Sequence, residues 1–259
     1  MNKLFLLFLL IVASCKTPTS NDKETKTTSN IDEAATAITL KGTVSNHNGM
    51  AGDINIMGYF VQPEFYGALN QDGSFEIRLP EDFDKITTKA FNTYNSSDVA
   101  DYQLNYNTAL ESFPNAANVS FSGKESRLAY VGKYYRFEVN TGDRSAYLYP
   151  ASSENFVKYV VGTKDAVPET GFNYYYIYAK EPFSIDGNTT YDNLFEDGTE
   201  EVYTRTDHYD LNIKKGWNLL RYEINQLEES SSGTQEIAET TVSNAELNSI
   251  PESWFMSAL

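Results

Sequence analysis

Leu69-Asn70-Gln71-Asp72-Gly73-Ser74-Phe75-Glu76-Ile77-Arg78-Leu79-Pro80 decides the fold class. Phe75, Ile77 and Leu79 alternate with Glu76 and Arg78, the period of a strand with one dry face and one wet face. Asp72-Gly73 supplies the unusual backbone angles of a tight reversal, so Leu69 and the 75–79 run read as the arms of a hairpin. Pro80 ends the second arm because it has no N–H to give to a ladder.

The same period extends in both directions. Toward the N-terminus, Ile38, Leu40, Gly42 and Val44 alternate with Thr39, Lys41 and Thr43. A turn follows at 46–49, then Ile54, Ile56 and Gly58, and residues 86–91 are predicted to add a strand. Toward the C-terminus, Tyr135, Phe137 and Val139 oppose Tyr134, Arg136 and Glu138. Val157, Tyr159 and Val161 oppose Phe156, Lys158 and Val160. Residues 146–149, 173–179 and 183–185 read as further strands. Tyr209, Leu211 and Ile213 oppose Asp210, Asn212 and Lys214, and Leu220, Tyr222 and Ile224 return after Lys214-Lys215-Gly216. Gly216 suits the left-handed position of that turn. Ser243-x-x-Glu246 has the form of a capping box for a short helix, and Trp254-Phe255-Met256 is too apolar not to dock. The expectation is an all-β chain of two β-sandwich domains, 37–123 and 124–259, divided near Ser122-Gly123-Lys124.

Composition agrees and narrows the partners. Tyr (19) and Phe (15) are abundant, and both favour strands. One cysteine excludes an intrachain disulfide, so stability must come from burial. With 36 acidic against 20 basic residues the net charge is −16. That argues against nucleic acid, whose phosphates demand basic surface, and against lying flat on anionic lipid.

The chain opens Met1-Asn2-Lys3, and residues 4–12 are nine uninterrupted apolar positions. A membrane span needs ~20, so residues 1–14 read as a secretory signal peptide. Val12-Ala13-Ser14-Cys15 resembles the lipobox of bacterial lipoproteins. The resemblance implies cleavage before Cys15 and acylation of its sulfur and new amino group, with palmitate among the chains. Several acyl chains anchor firmly where one does not. Lys16 stands where an aspartate would mark inner-membrane retention in that family, which implies the outer membrane. Residues 15–36 then read as the lipidated cysteine and a flexible, disordered polar tether. Gly42-x-Val44, Asp72-Gly73-Ser74-Phe75 and Leu79-Pro80, within 37–91, resemble the transthyretin-like or carboxypeptidase-regulatory-like sandwich. That resemblance implies a structural or binding module.

No catalytic motif stands out. His47 and His208 have no elbow or metal-helix pattern around them, and no cysteine ligand is left for zinc. Asp186-Gly187-Asn188-Thr189-Thr190-Tyr191-Asp192 spaces oxygen ligands in what reads as a loop, but Tyr191 stands where an EF-hand loop needs glycine. No metal and no cofactor is expected. The aromatics carry the best site signal. Phe172, Tyr174, Tyr176 and Tyr178 share one face of a strand; Tyr175, Ile177 and Ala179 share the other. If the second face is core, Tyr174, Tyr176 and Tyr178 form an outward ligand-binding row with Trp217 near one end; the alternative is that both faces are buried. The functional expectation is a non-catalytic envelope lipoprotein that binds a glycan or an envelope protein. A structural or assembly subunit of an outer-membrane complex is the alternative. A hydrolase, the third class, would need a cleft of converging carboxylates.

Overall fold

A computed structural model describes residues 36–56, 65–97, 100, 102–132, 136–164, 166–247 and 253–258. They belong to one compact unit, residues 31–259. Cys15, the signal peptide and the tether up to residue 35 lie outside the described residues, as do Gly58, Tyr134 and Tyr135.

In chain order the strands begin with β1 (Thr36–Thr43), β2 (Gly52–Asn55), β3 (Phe65–Leu69), β4 (Ser74–Pro80), β5 (Asn107–Thr108), β6 (Ser120–Ser122), β7 (Arg127–Val131) and β8 (Phe137–Asn140). They continue with β9 (Ser145–Pro150), β10 (Gly171–Ala179), β11 (Phe183–Leu194), β12 (Val202–Ile213), β13 (Gly216–Glu229), β14 (Gln235–Ala245) and β15 (Trp254–Ala258). Three helices interrupt them: α1 (Phe83–Asn95), α2 (Ala109–Ser112) and α3 (Glu154–Val160). The strands form two sheets, ordered β1-β4-β3-β2-β8-β9-β15 and β5-β7-β10-β13-β14-β12-β11-β6.

The all-β architecture of packed sheets is thus as expected, and so is the opening hairpin. β3 and β4 pair antiparallel with Leu69 opposite Phe75. Gly73 sits at φ 84°, and the Asp72 carboxylate accepts the Ser74 N–H at 2.9 Å. The division at 122–124 is corrected. Both sheets take strands from either side of it: the first adds β8, β9 and β15 to β1–β4, and the second includes β5 and β6. Alternation within a strand says which face is buried and nothing about which distant strand will lie beside it.

Both sheets curl. In the first, β15 lies beside β9 at one edge and also meets the end of β1 at the other. Val44 bridges Trp254, and Ser45 N–H donates to the Trp254 carbonyl at 2.7 Å. The docking expected of Trp254-Phe255-Met256 therefore takes the form of an edge strand that draws the sheet round on itself. In the second sheet, three residues join β10 to β11 although three strands lie between them. Four strand spacings are ~19 Å, while four residue steps reach ~14 Å at most. A flat sheet could not be connected so, and curvature is the only solution.

Curling gives the second sheet two dry faces. Its outer face carries Tyr130, Tyr176, Tyr178, Trp217 and Leu219 into a core shared with Leu40, Ile77, Phe137 and Trp254 of the first sheet. Its concave face buries Tyr175, Ile177, Leu211, Ile213 and Leu220, closed over by Ala109, Phe113 and Ala116 from α2 and the turn after it. A third cluster holds Phe156 and Val157 of α3 against Ile224 and Ile237.

Two predicted strands are helices instead. Residues 86–91 lie in α1, which turns Phe83 and Thr87 inward at helical spacing. Its β-branched residues are accommodated because Thr87 and Thr88 hydroxyls donate back to the Phe83 and Asp84 carbonyls, at 2.8 and 2.7 Å. Residues 156–160 lie in α3, started by Ser153, whose hydroxyl accepts the Phe156 N–H at 2.9 Å, and braced by a Glu154–Lys158 ion pair at 2.9 Å. Conversely, Ser243 caps no helix: β14 runs through it to Ala245. Gly216 does adopt positive φ, 97°. Its turn is no hairpin, since β14 lies between β12 and β13. The Asn218 side chain holds it instead, accepting from Lys214 N–H at 3.0 Å and donating to the Lys214 carbonyl at 2.7 Å.

Candidate functional site

β10 has one fully covered edge and one partly covered edge. β13 pairs with it over its whole length, whereas β7 pairs only with Ile177–Ala179. Gly132 N–H adds a last bond to the Tyr176 carbonyl at 2.8 Å, and Ala151 bridges Asn173 further along. Between those two points a cavity of about 470 Å³ wraps the strand, so that Tyr174, Tyr175 and Tyr176 all line it. Its size lies within the range usual for small-molecule sites, ~300–1,000 Å³.

Toward the first sheet the cavity is lined by Tyr130, Tyr149, Tyr176 and Arg136, together with Phe137 and Leu148. Tyr176 is 1% exposed and Tyr149 7%, and both hydroxyls are buried without a hydrogen-bond partner among the described residues. The Arg136 guanidinium lies over the rings of Tyr147 and Tyr149, 5.5 and 5.4 Å from their centroids. Burial pushes the phenols of Tyr130, Tyr149 and Tyr176 up, and the Arg136 charge works against that shift at Tyr130 and Tyr149. All three stay neutral at physiological pH, able to donate and to accept.

The other end is anchored by Asp207 and Arg205. Asp207 is 2% exposed; one carboxylate oxygen accepts from the Thr240 hydroxyl at 2.6 Å and from Arg205 Nε at 3.0 Å. The other accepts from the Tyr191 hydroxyl at 2.9 Å and from Asn115 Nδ2 at 3.3 Å. Burial pushes the Asp207 carboxyl up, but the Thr240 bond and the Arg205 charge outweigh it and hold it below the ordinary range. Burial and the bond to Asp207 push Tyr191 up to about 12. This carboxylate has its full set of partners and ties β11, β12 and β14 together.

The outward row is corrected. Parity is as expected, with Tyr174, Tyr176 and Tyr178 on one face and Tyr175, Ile177 and Ala179 on the other. Both faces are covered, however, because β10 is an inner strand of a curled sheet packed on another sheet. Tyr174 is half-buried, and Tyr176, Tyr178 and Trp217 are buried. Tyr174 and Tyr176 line the cavity; Tyr178 and Trp217 do not. Trp217 does pair with Tyr178 at the end of the row, but as a clasp on the 80–84 segment. Its indole N–H donates to the Pro80 carbonyl at 2.8 Å, and the Tyr178 hydroxyl donates to the Glu81 carbonyl at 2.9 Å.

Arg136, Tyr149, Arg205 and Asp207 are site residues that sequence reasoning missed. A signal for two of them existed. Extending the Tyr209-Leu211-Ile213 face back by steps of two puts Asp207, Arg205 and Tyr203 inside, and a charge pair on an inward face is seldom idle. His47 bonds to the Met50 carbonyl at 2.7 Å in its turn, and His208 lies 3.3 Å from Glu239 on the surface. Residues 186–192 belong to β11, not to a loop. The acidic turn beyond β11 is fastened by Asp197, whose carboxylate accepts from Thr199, Ser230 and Ser232 hydroxyls. Among the described residues, no group of three or more His, Cys, Asp or Glu is placed to hold a metal ion.

No family model, curated protein or solved structure matches this chain.

Proposed function

We propose that the chain is a non-catalytic, lipid-anchored protein of the cell envelope that binds a small glycan in the cavity beside β10. Cys15 carries the anchor at the outer membrane, and the tether lifts the folded unit from the bilayer. One observation carries the binding role: Tyr130, Tyr149, Tyr174 and Tyr176 line one cavity together with Arg136. The tyrosine rings add apolar faces of the kind on which sugar rings lie. Among the described residues the one carboxylate of the wall, Asp207, is engaged by four partners, which supports a binding role over hydrolysis.

The test is a panel of oligosaccharides titrated into the protein and read by saturation-transfer NMR, with Tyr176→Phe as the matched variant. Binding that weakens in a variant of unchanged melting temperature supports the cavity as the site. Binding untouched by Tyr176→Phe and Tyr149→Phe together moves the site elsewhere.

A further inference from the structure

We infer that the ligand bears a carboxylate, as an acidic sugar unit does, and that Arg136 receives it. This rests on the cavity being the ligand site and adds the chemical class of the ligand. In a chain with 36 acidic and 20 basic residues, arginines find acidic neighbours readily. Arg78, Arg127, Arg205 and Arg221 all do, at 2.6–3.0 Å, while Arg144, exposed in its turn, forms no ion pair among the described residues. No ion pair among the described residues involves Arg136. It is half-buried, and its guanidinium is backed by the Tyr147 and Tyr149 rings. A guanidinium carries a planar fork of N–H donors, the geometry that binds a carboxylate by two parallel hydrogen bonds.

The surroundings fit the same ligand. The other cation of the wall, Arg205, is neutralised by Asp207, so among the described residues Arg136 is the cation of the wall without an ion pair. Tyr130, Tyr149 and Tyr176 line the same cavity as Arg136. A carboxylate on Arg136 would therefore bring the rest of the same sugar against the tyrosines of the wall. A neutral sugar would meet the same tyrosines and leave the cation bare.

The experiment is a calorimetric titration of the full chain in detergent with digalacturonate and, separately, with neutral digalactose. The acidic disaccharide is expected to bind at least about tenfold tighter, the scale of a charge-assisted hydrogen-bonded pair. Raising the salt concentration should narrow that gap. Arg136→Met should remove the preference, and Arg136→Lys should restore part of it because it keeps the charge without the fork. Melting curves establish that each variant is folded; if the methionine variant is not, the lysine variant and the salt dependence decide. Equal affinities for the two sugars, or a preference that survives Arg136→Met, overturn the inference. If Tyr176→Phe still weakens both sugars in that case, the cavity remains the binding site. Binding of neither sugar overturns the acidic-sugar assignment and the glycan reading together.

Discussion

Tyr175 and Tyr176 are consecutive residues of β10, and they belong to different hydrophobic cores. Tyr176 sets its ring 5.8 Å from that of Phe137 in the shared core between the sheets. Tyr175 faces the concave side of the second sheet with Ile185 and Leu211. β10 is thus a wall common to both cores, and the cavity opens where that wall is not fully paired. Structure and the proposed binding meet on this strand, which makes the two separable only by substitutions that change one atom.

Tyr176 offers such a pair of substitutions. Tyr176→Ala removes a fully buried ring and should cost about 3–5 kcal/mol. Tyr176→Phe removes only a hydroxyl that has no hydrogen-bond partner among the described residues, so stability should stay level or rise slightly. Thermal melts of the two variants check this. A large loss of stability in the phenylalanine variant would mean that the hydroxyl is bonded within the protein.

Much of this was readable along the chain, because period-two alternation reports burial directly. β1, the β3–β4 hairpin, β12 and the parity of β10 all follow from it. Three things did not follow. Ile86-Thr87-Thr88 has strand propensity and still forms a helix, since Phe83 and Thr87 find a buried surface at helical spacing. Trp217 and Tyr176 look like a surface row until a second sheet covers them, and no local pattern announces that sheet. Arg136 becomes a site residue only because β8 and β9 are brought beside β10, a contact between segments far apart in sequence.

Gly216 tests local backbone chemistry alone. Its φ is 97°, and a Cβ there would meet nothing within 4 Å. Gly216→Val should therefore destabilise by conformational strain only, roughly 1–3 kcal/mol. Gly216→Asn should recover part of that, because asparagine tolerates the left-handed region. Urea melts of the two variants measure the difference, and equal melts for valine and glycine would show that the turn relaxes without cost.

The anchor is tested apart from the fold. Cys15→Ser should abolish incorporation of a fatty-acid analogue in growing cells and release the protein from the membrane fraction. The folded unit should keep its melting temperature, because residue 15 lies outside the compact unit of residues 31–259. Labelling that persists in the serine variant would refute the anchor.

Asp207 gives the pH dependence its sign. Its carboxyl lies below the ordinary range when folded, held there by Thr240 and Arg205 against the push of burial. A depressed folded value means that the unfolded chain takes up the proton first as pH falls. The stabilisation is fully present above the ordinary carboxylate value, ~3.9, and disappears as pH drops through the folded value. Asp207→Asn removes the charge and leaves Arg205, only 23% exposed, beside a neutral amide. Breaking a buried pair from one side costs roughly 3 kcal/mol, so the variant should be less stable at pH 7. It should also lose less on acidification than the wild type, because the group that titrates is gone. Thr240→Val should weaken the protein less, by about 1.5–3 kcal/mol for one bond to a charged acceptor, and should shift the acid limb upward in pH. Urea midpoints measured from neutral pH down into the acid limb give all three curves. An Asp207→Asn curve parallel to the wild type throughout would mean that the acid limb belongs to other carboxylates and that this buried pair is not what acid breaks.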